Sequence, residues 1–102
     1  MENKDYFILS LCAKAGKITA GNETVEKSIK NGSAKLVIVA DDASENTKKK
    51  FIDKSKFYKT DCMIVSSKEE LSHYTGKYGK AVFAVEDEGF ASAIKKKLLG
   101  GG

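Results

Sequence analysis

The chain has 102 residues, 41% of them apolar, with a formal charge of +4 carried on lysine alone, since no arginine is present. That length allows one domain with a modest core, the apolar fraction excludes a disordered chain, and no apolar run approaches the roughly 18 residues of a membrane span. The positive charge suits a polyanion, and lysine, a point charge without a planar fork, suits phosphates better than base edges.

The segment Met1 to Lys17 mixes acidic and basic residues and has no cleavage-like site, so a cytoplasmic protein is expected. Asn3 is placed to cap a first helix, with Asp5 in its first turn. Ile8, Leu11, Cys12 and Ala15 fall at i, i+3, i+4 and i+7 and predict its core-facing stripe. Gly16 ends it between Lys14 and Lys17. Ile18-Thr19-Ala20 reads as a brief strand. Gly21 then turns the chain into a second helix with the apolar pair Val25 and Ile29. Glu23 to Lys27 and Glu26 to Lys30 are i, i+4 ion pairs in the favourable order. Asn31-Gly32 ends this helix, both residues tolerating the left-handed conformation.

Leu36 to Ala40 is apolar without alternation, the pattern of a strand covered on both faces. Asp41-Asp42 closes it and Ser44 caps a third helix. Phe51, Ile52, Ser55 and Tyr58 are expected to face inward and Lys48, Lys49, Lys50, Lys54, Lys56 and Lys59 outward. Cys62 to Val65 reads as another buried strand, and Ser67 with Glu70 is a capping-box signature for a fourth helix ending near Gly76. The loop Lys77-Tyr78-Gly79-Lys80 leads to a buried strand, Ala81 to Val85. Asp87 caps a last helix in which Phe90, Ile94 and Leu98 recur every four residues. The expected unit is residues 1–99, followed by a flexible glycine tail, 100–102. Strict alternation of helix and strand predicts an α/β fold, with helices on both faces of one sheet.

Chemistry concentrates at few places. The tip of the second helix, Asn22-Glu23, offers an amide that donates and accepts and a carboxylate that accepts from base amino or imino groups. A carboxylate among lysines points to base reading, because near phosphates it is costly unless a base supplies donors. The plainer reading is a cap at Gly21 or Asn22 with Glu23 complementing the dipole. Tyr78, between two lysines and two glycines, is either a stacking platform for an unpaired base or a ring folded back on the domain. Asp41-Asp42 lacks the third carboxylate or phosphate-cradling loop of a Mg²⁺ site and reads as a helix start. His73 reads as a surface residue, Cys12 and Cys62 as buried thiols without a CxxC, and Ser44, Ser66 and Ser67 as caps rather than nucleophiles. No metal or cofactor is expected.

The segment AGKITAGNETVEKSIKNGSAKLVIVADDAS, with the later AVFAVEDEGFASAI, resembles the kink-turn RNA-binding ribosomal protein family called L-seven-Ae, and within it the small bacterial YlxQ-like branch. The resemblance implies a three-layer α-β-α sandwich around a mixed four-stranded sheet, the ribosomal L-thirty-e-like fold. It implies binding to a kink-turn, a bent RNA helix with tandem sheared G·A pairs, met in the family by an Asn-Glu pair that matches Asn22 and Glu23. The chain departs from the family twice. Glu26 stands where the family has a lysine, and Lys27, one residue on, is rotated by about 100°. The loop before the last strand, apolar and longer in the family, is here GKYGK, so it would meet RNA through Lys77, Tyr78 and Lys80.

The expectation is a noncatalytic, ribosome-associated RNA-binding protein recognising kink-turn-like or internally looped RNA. Its expected contact set is Lys17, Gly21, Asn22, Glu23, Lys27, Lys30, Lys77, Tyr78 and Lys80. The expected partner is structured RNA, ribosomal rather than DNA or membrane, bound by a monomer. The alternatives are an accessory substrate-binding domain of an RNA-modifying enzyme and a protein-protein adaptor using the lysine-rich faces.

Overall fold

The computed structural model describes residues 6–98. The elements are α1 (Phe7–Lys14), β1 (Ile18–Ala20), α2 (Asn22–Lys30), β2 (Leu36–Val39), α3 (Glu45–Phe57), β3 (Asp61–Ile64), α4 (Lys68–Thr75), β4 (Val82–Val85) and α5 (Glu88–Leu98). The positions of Asn3, Asp5 and the terminal glycines lie outside the described residues.

The strands form one sheet in the order β1-β4-β2-β3, with β2 and β3 parallel and β4 antiparallel to both β1 and β2. β1, β2 and β3 therefore point the same way, and each is followed by a helix. The central strands are buried along their whole length, which explains their unbroken apolar runs. Successive residues serve opposite faces. Leu36, Ile38, Phe83 and Val85 pack with Leu9, Leu71 and Ile94 of α1, α4 and α5. Val37, Val39, Val82 and Ala84 pack with Val25, Ile29 and Phe51 of α2 and α3. The result is the expected three-layer α-β-α sandwich with a mixed sheet. Among the described residues no helix is long and apolar enough to cross a membrane.

Local signals are met at several ends. Ser44 Oγ accepts from the Thr47 amide at 3.1 Å, Ser67 Oγ from the Glu70 amide at 3.1 Å, and Asp87 Oδ2 from the Phe90 amide at 2.9 Å. The capping box is only half formed, because the Glu70 carboxylate instead accepts from Ser66 Oγ at 2.5 Å. Gly16, Gly32 and Gly76 end α1, α2 and α4 at φ of 71°, 83° and 74°. Asn31 is not left-handed; its φ is -90° and its side chain accepts from the Ser33 amide.

Several expected faces are corrected. α1 buries Leu9 and Cys12, while Leu11 is 56% exposed and Ala15 is exposed, so the stripe is rotated from the expected one. The helix is apolar on most sides, and packing against Tyr74 of α4, whose ring meets Tyr6 and Phe7 edge-on, decides which side is covered. In α3 only Phe51 and Ser55 are buried; Ile52 and Tyr58 are exposed, because the sheet beneath covers a narrow stripe. β3 is an edge strand with Met63 buried and Ile64 exposed, not a strand covered on both faces. In α5 Ile94 is buried with Ala91, and Phe90 and Leu98 are half-buried.

The Glu23–Lys27 ion pair does not form, whereas Glu26 meets Lys30 at 3.7 Å and two lysines of α3, Lys54 at 2.8 Å and Lys50 at 3.2 Å. Bonds from Lys54 and then Lys50 hold its carboxyl down at about 2, against an ordinary 4.5. A depressed carboxyl contributes stability that is present above the unfolded value and is lost as pH falls through the folded one. Glu26→Gln is therefore expected to flatten the acid dependence of the unfolding midpoint between about pH 4.5 and about pH 2. Thermal unfolding over that range, compared with wild type, checks it; coincident profiles would show the carboxylate to be idle.

Candidate nucleic-acid interface

The parallel run of β1, β2 and β3 brings their carboxyl ends, and the N-termini of α2, α3 and α4, to one edge of the sheet. Ligands of open α/β sheets collect at such edges. β1 is followed directly by Gly21, whose φ of 105° and ψ of 147° suit glycine alone. Its amide donates to Val82 O at 3.0 Å and its carbonyl accepts from the Val25 amide at 2.9 Å, so one residue closes the sheet ladder and opens the helix. Asn22 and Glu23 are thereby held at the rim. Both are exposed, and neither side chain has a partner among the described residues. Asn22 is the first helical residue rather than the cap, and its side chain makes no capping bond.

Beside the tip lies a cleft of about 450 Å³ lined by Gly21, Asn22, Ala43, Ser44, Thr47, Lys68, Gly79, Lys80 and Ala81. The Lys80 ammonium lies across Gly21, 3.7 Å from where a Cβ would stand. Lys68 and Gly79 are shared with an adjoining depression of about 340 Å³ that adds Glu69, Ser72 and Tyr78. Tyr78 is 72% exposed and not folded back on the domain. Its loop is bent by Gly76 and Gly79, both at a φ of 74°. The Lys77 amide donates to Thr75 Oγ1 at 3.2 Å, which fixes the start of the loop.

The predicted contacts divide into two groups. Gly21, Asn22, Glu23, Tyr78 and Lys80 gather around this edge, with Lys77 at the loop's base. Lys27 lies one turn down α2 from Glu23 on the same exposed side. Lys17 and Lys30 sit elsewhere. Lys17 directly precedes β1, with its carbonyl accepting from the Glu86 amide, about 13 Å from Gly21 along the chain. Lys30 ends α2 and lines a separate cleft of about 360 Å³ with Lys35, Tyr58 and Lys59. Ser44, Thr47 and Lys68 also line the cleft and are not among the expected contacts; the signal available was that helices following parallel strands start at the same edge.

The other candidates have structural work. Asp42 accepts from the Lys68 amide at 2.9 Å and so ties the start of α4 to the end of β2. Asp41 lies 3.9 Å from Lys48. Among the described residues no group of three or more His, Cys, Asp or Glu side chains could hold a metal ion. His73 is exposed beside Tyr74. Burial, with the Asp87 charge added, pushes the Cys12 thiol up to about 11, and burial also raises Cys62, so neither is an activated nucleophile.

A family model described as the ribosomal protein L7Ae/L30e/S12e/Gadd45 family matches residues 6–95. The chain is 43% identical over 93 residues to an RNA-binding protein YlxQ of Enterococcus faecium, covering 91% of this chain and 89% of that one. It is 40% identical over 95 residues to the RNA-binding protein YlxQ of Bacillus subtilis (strain 168), covering 92% and 95%. A solved structure of a protein of unknown function from Bacillus halodurans C superposes with a TM-score of 0.90 at 34% identity, over 94% of this chain and 97% of that one. The Giardia lamblia 15.5kD RNA binding protein superposes with a TM-score of 0.77 at 15% identity, over 95% and 87%, a likeness of fold alone.

Proposed function

The chain belongs to the ribosomal protein L7Ae/L30e/S12e/Gadd45 family, and on that premise we propose that it is a noncatalytic RNA-binding protein recognising kink-turn-like or internally looped RNA, with ribosomal RNA as its partner. The observation that carries this reading is an amide and a carboxylate, Asn22 and Glu23, left without intramolecular partners at the lip of a cleft edged by Lys68 and Lys80. A carboxylate so placed is repelled by phosphates and is favourable only where bases present amino or imino donors. Irregular pairs and splayed bases in folded RNA do so; a regular A-form helix hides them in a deep, narrow groove. Lys27, Lys68, Lys77 and Lys80 then take phosphates, and Tyr78 stacks on an unpaired base. The reading places the protein in the cytoplasm, acting as a monomer.

A gel-shift series with a kink-turn RNA and a plain duplex of equal length tests it. Asn22→Ala and Glu23→Ala are each expected to weaken binding of the kink-turn roughly ten- to hundredfold, the usual worth of a lost base-edge contact. Binding of the plain duplex should change little, and all affinities should fall as salt rises, because phosphate contacts release counterions. Equal kink-turn affinity for wild type and both variants would remove the site.

A further inference from the structure

α2 and α3 lie side by side on one face of the sheet and run in the same direction. Their N-termini line the Asn22 cleft, and their C-termini, at Lys30 and Tyr58, line the cleft at the opposite edge. The surface between the two clefts is basic. Glu23, Lys27 and Lys30 follow one another at i, i+4 and i+7 down the exposed side of α2. Lys50 and Phe57, spaced i and i+7, lie on the outward side of α3. Glu26 joins the two helices through Lys30, Lys50 and Lys54, and one carboxylate against three ammonium groups leaves that cluster positive. Lys49 is offset by Asp53.

At the far end of this surface Phe57 is 78% exposed, the most exposed of the large apolar side chains described. The Tyr58 ring packs against it edge-on, with the ring centroids 5.0 Å apart. Lys59 follows in the left-handed region at a φ of 58°, a helix-ending position where glycine is favoured. Phe57 adds nothing to the core, and Lys59 carries the cost of a left-handed backbone in a residue with a side chain.

We propose that the α2–α3 face is a track for single-stranded RNA flanking the structured element, with its phosphates on Lys27 and Lys50 and a base stacked on Phe57. The proposal rests on reading the Asn22–Glu23 tip as the RNA site, from which the track runs. Lysine and an isolated aromatic ring make contacts that tolerate any sequence. The negative ends of the α2 and α3 dipoles meet at the far cleft and disfavour phosphate there, which is why a neutral base is assigned to that end.

The test measures affinity of the full chain for a kink-turn RNA with and without a single-stranded tail of about six nucleotides, placed on either end. A tail is expected to tighten binding about tenfold, and Phe57→Ala to remove most of that gain while leaving the tailless RNA unaffected. A tail that adds nothing, or adds the same to wild type and to Phe57→Ala, overturns the track; a Phe57 that docks a protein would give that result. Should the tailless RNA fail to bind, the tip reading is lost and a free single-stranded oligonucleotide decides the track. Weaker binding of it by Phe57→Ala then supports the track, and equal binding rejects it.

Discussion

Gly21→Ala is expected to cost about 1–3 kcal/mol of stability and to weaken binding of structured RNA beyond what that loss explains. The added methyl group is not itself crowded. It would meet only the flexible Lys80 side chain, at 3.7 Å. The cost comes from the backbone, because a φ of 105° with a ψ of 147° is a conformation that a residue with a Cβ rarely adopts. Relaxing it breaks one of two bonds, the Gly21 amide to Val82 O or the Val25 amide to Gly21 O. The first detaches the end of β1 and the second frays the start of α2, and either moves Asn22 and Glu23 relative to Lys68 and Lys80. Urea unfolding read beside gel shifts at a temperature where the variant is folded separates the two effects. Wild-type stability together with wild-type affinity would show that the tip is not held by this glycine.

How much of this could be seen in advance depended on how local each cause was. The caps at Ser44, Ser67 and Asp87 depend on residues within one turn, and the sequence reveals them. β2 and β4 were legible because burial on both faces leaves an unbroken apolar run. Cys62 to Val65 has the same run, yet β3 is an edge strand, since an apolar run does not encode a strand's place in the sheet order. α1 misled for a related reason: with both Leu9 and Leu11 available, only the arrival of α4 through Tyr74 selects Leu9. The exposed turn from β1 into α2 was legible from Gly21-Asn22-Glu23. Its surroundings were not, because Thr47 and Lys68 reach it from other helices. Lys17 and Lys30 were expected in one contact set with the tip, but a strand and a helix carry them to the opposite edge.

Phe51→Ala should have the largest effect on stability, about 3–5 kcal/mol, and should lower the unfolding midpoint by on the order of 20 °C. Phe51 is completely buried and is one of the two largest side chains so placed. It fills the space between α3 and the sheet, among Val37, Val39, Val82 and Ala84. Truncation removes its apolar area from burial and leaves a cavity that the two rigid central strands cannot collapse to fill. A domain of this size has only about 5–15 kcal/mol in hand, so the loss takes a large share of it. Phe57→Ala, six residues along the same helix, is the internal control. It removes the same side chain from solvent rather than from the core and should shift stability by no more than about 0.5 kcal/mol. The contrast separates the two duties of α3, one phenylalanine holding the helix to the sheet and the other free for a ligand. Urea unfolding of both variants measures it, and similar losses in the two would mean that Phe57 is packed in solution and is not a stacking surface.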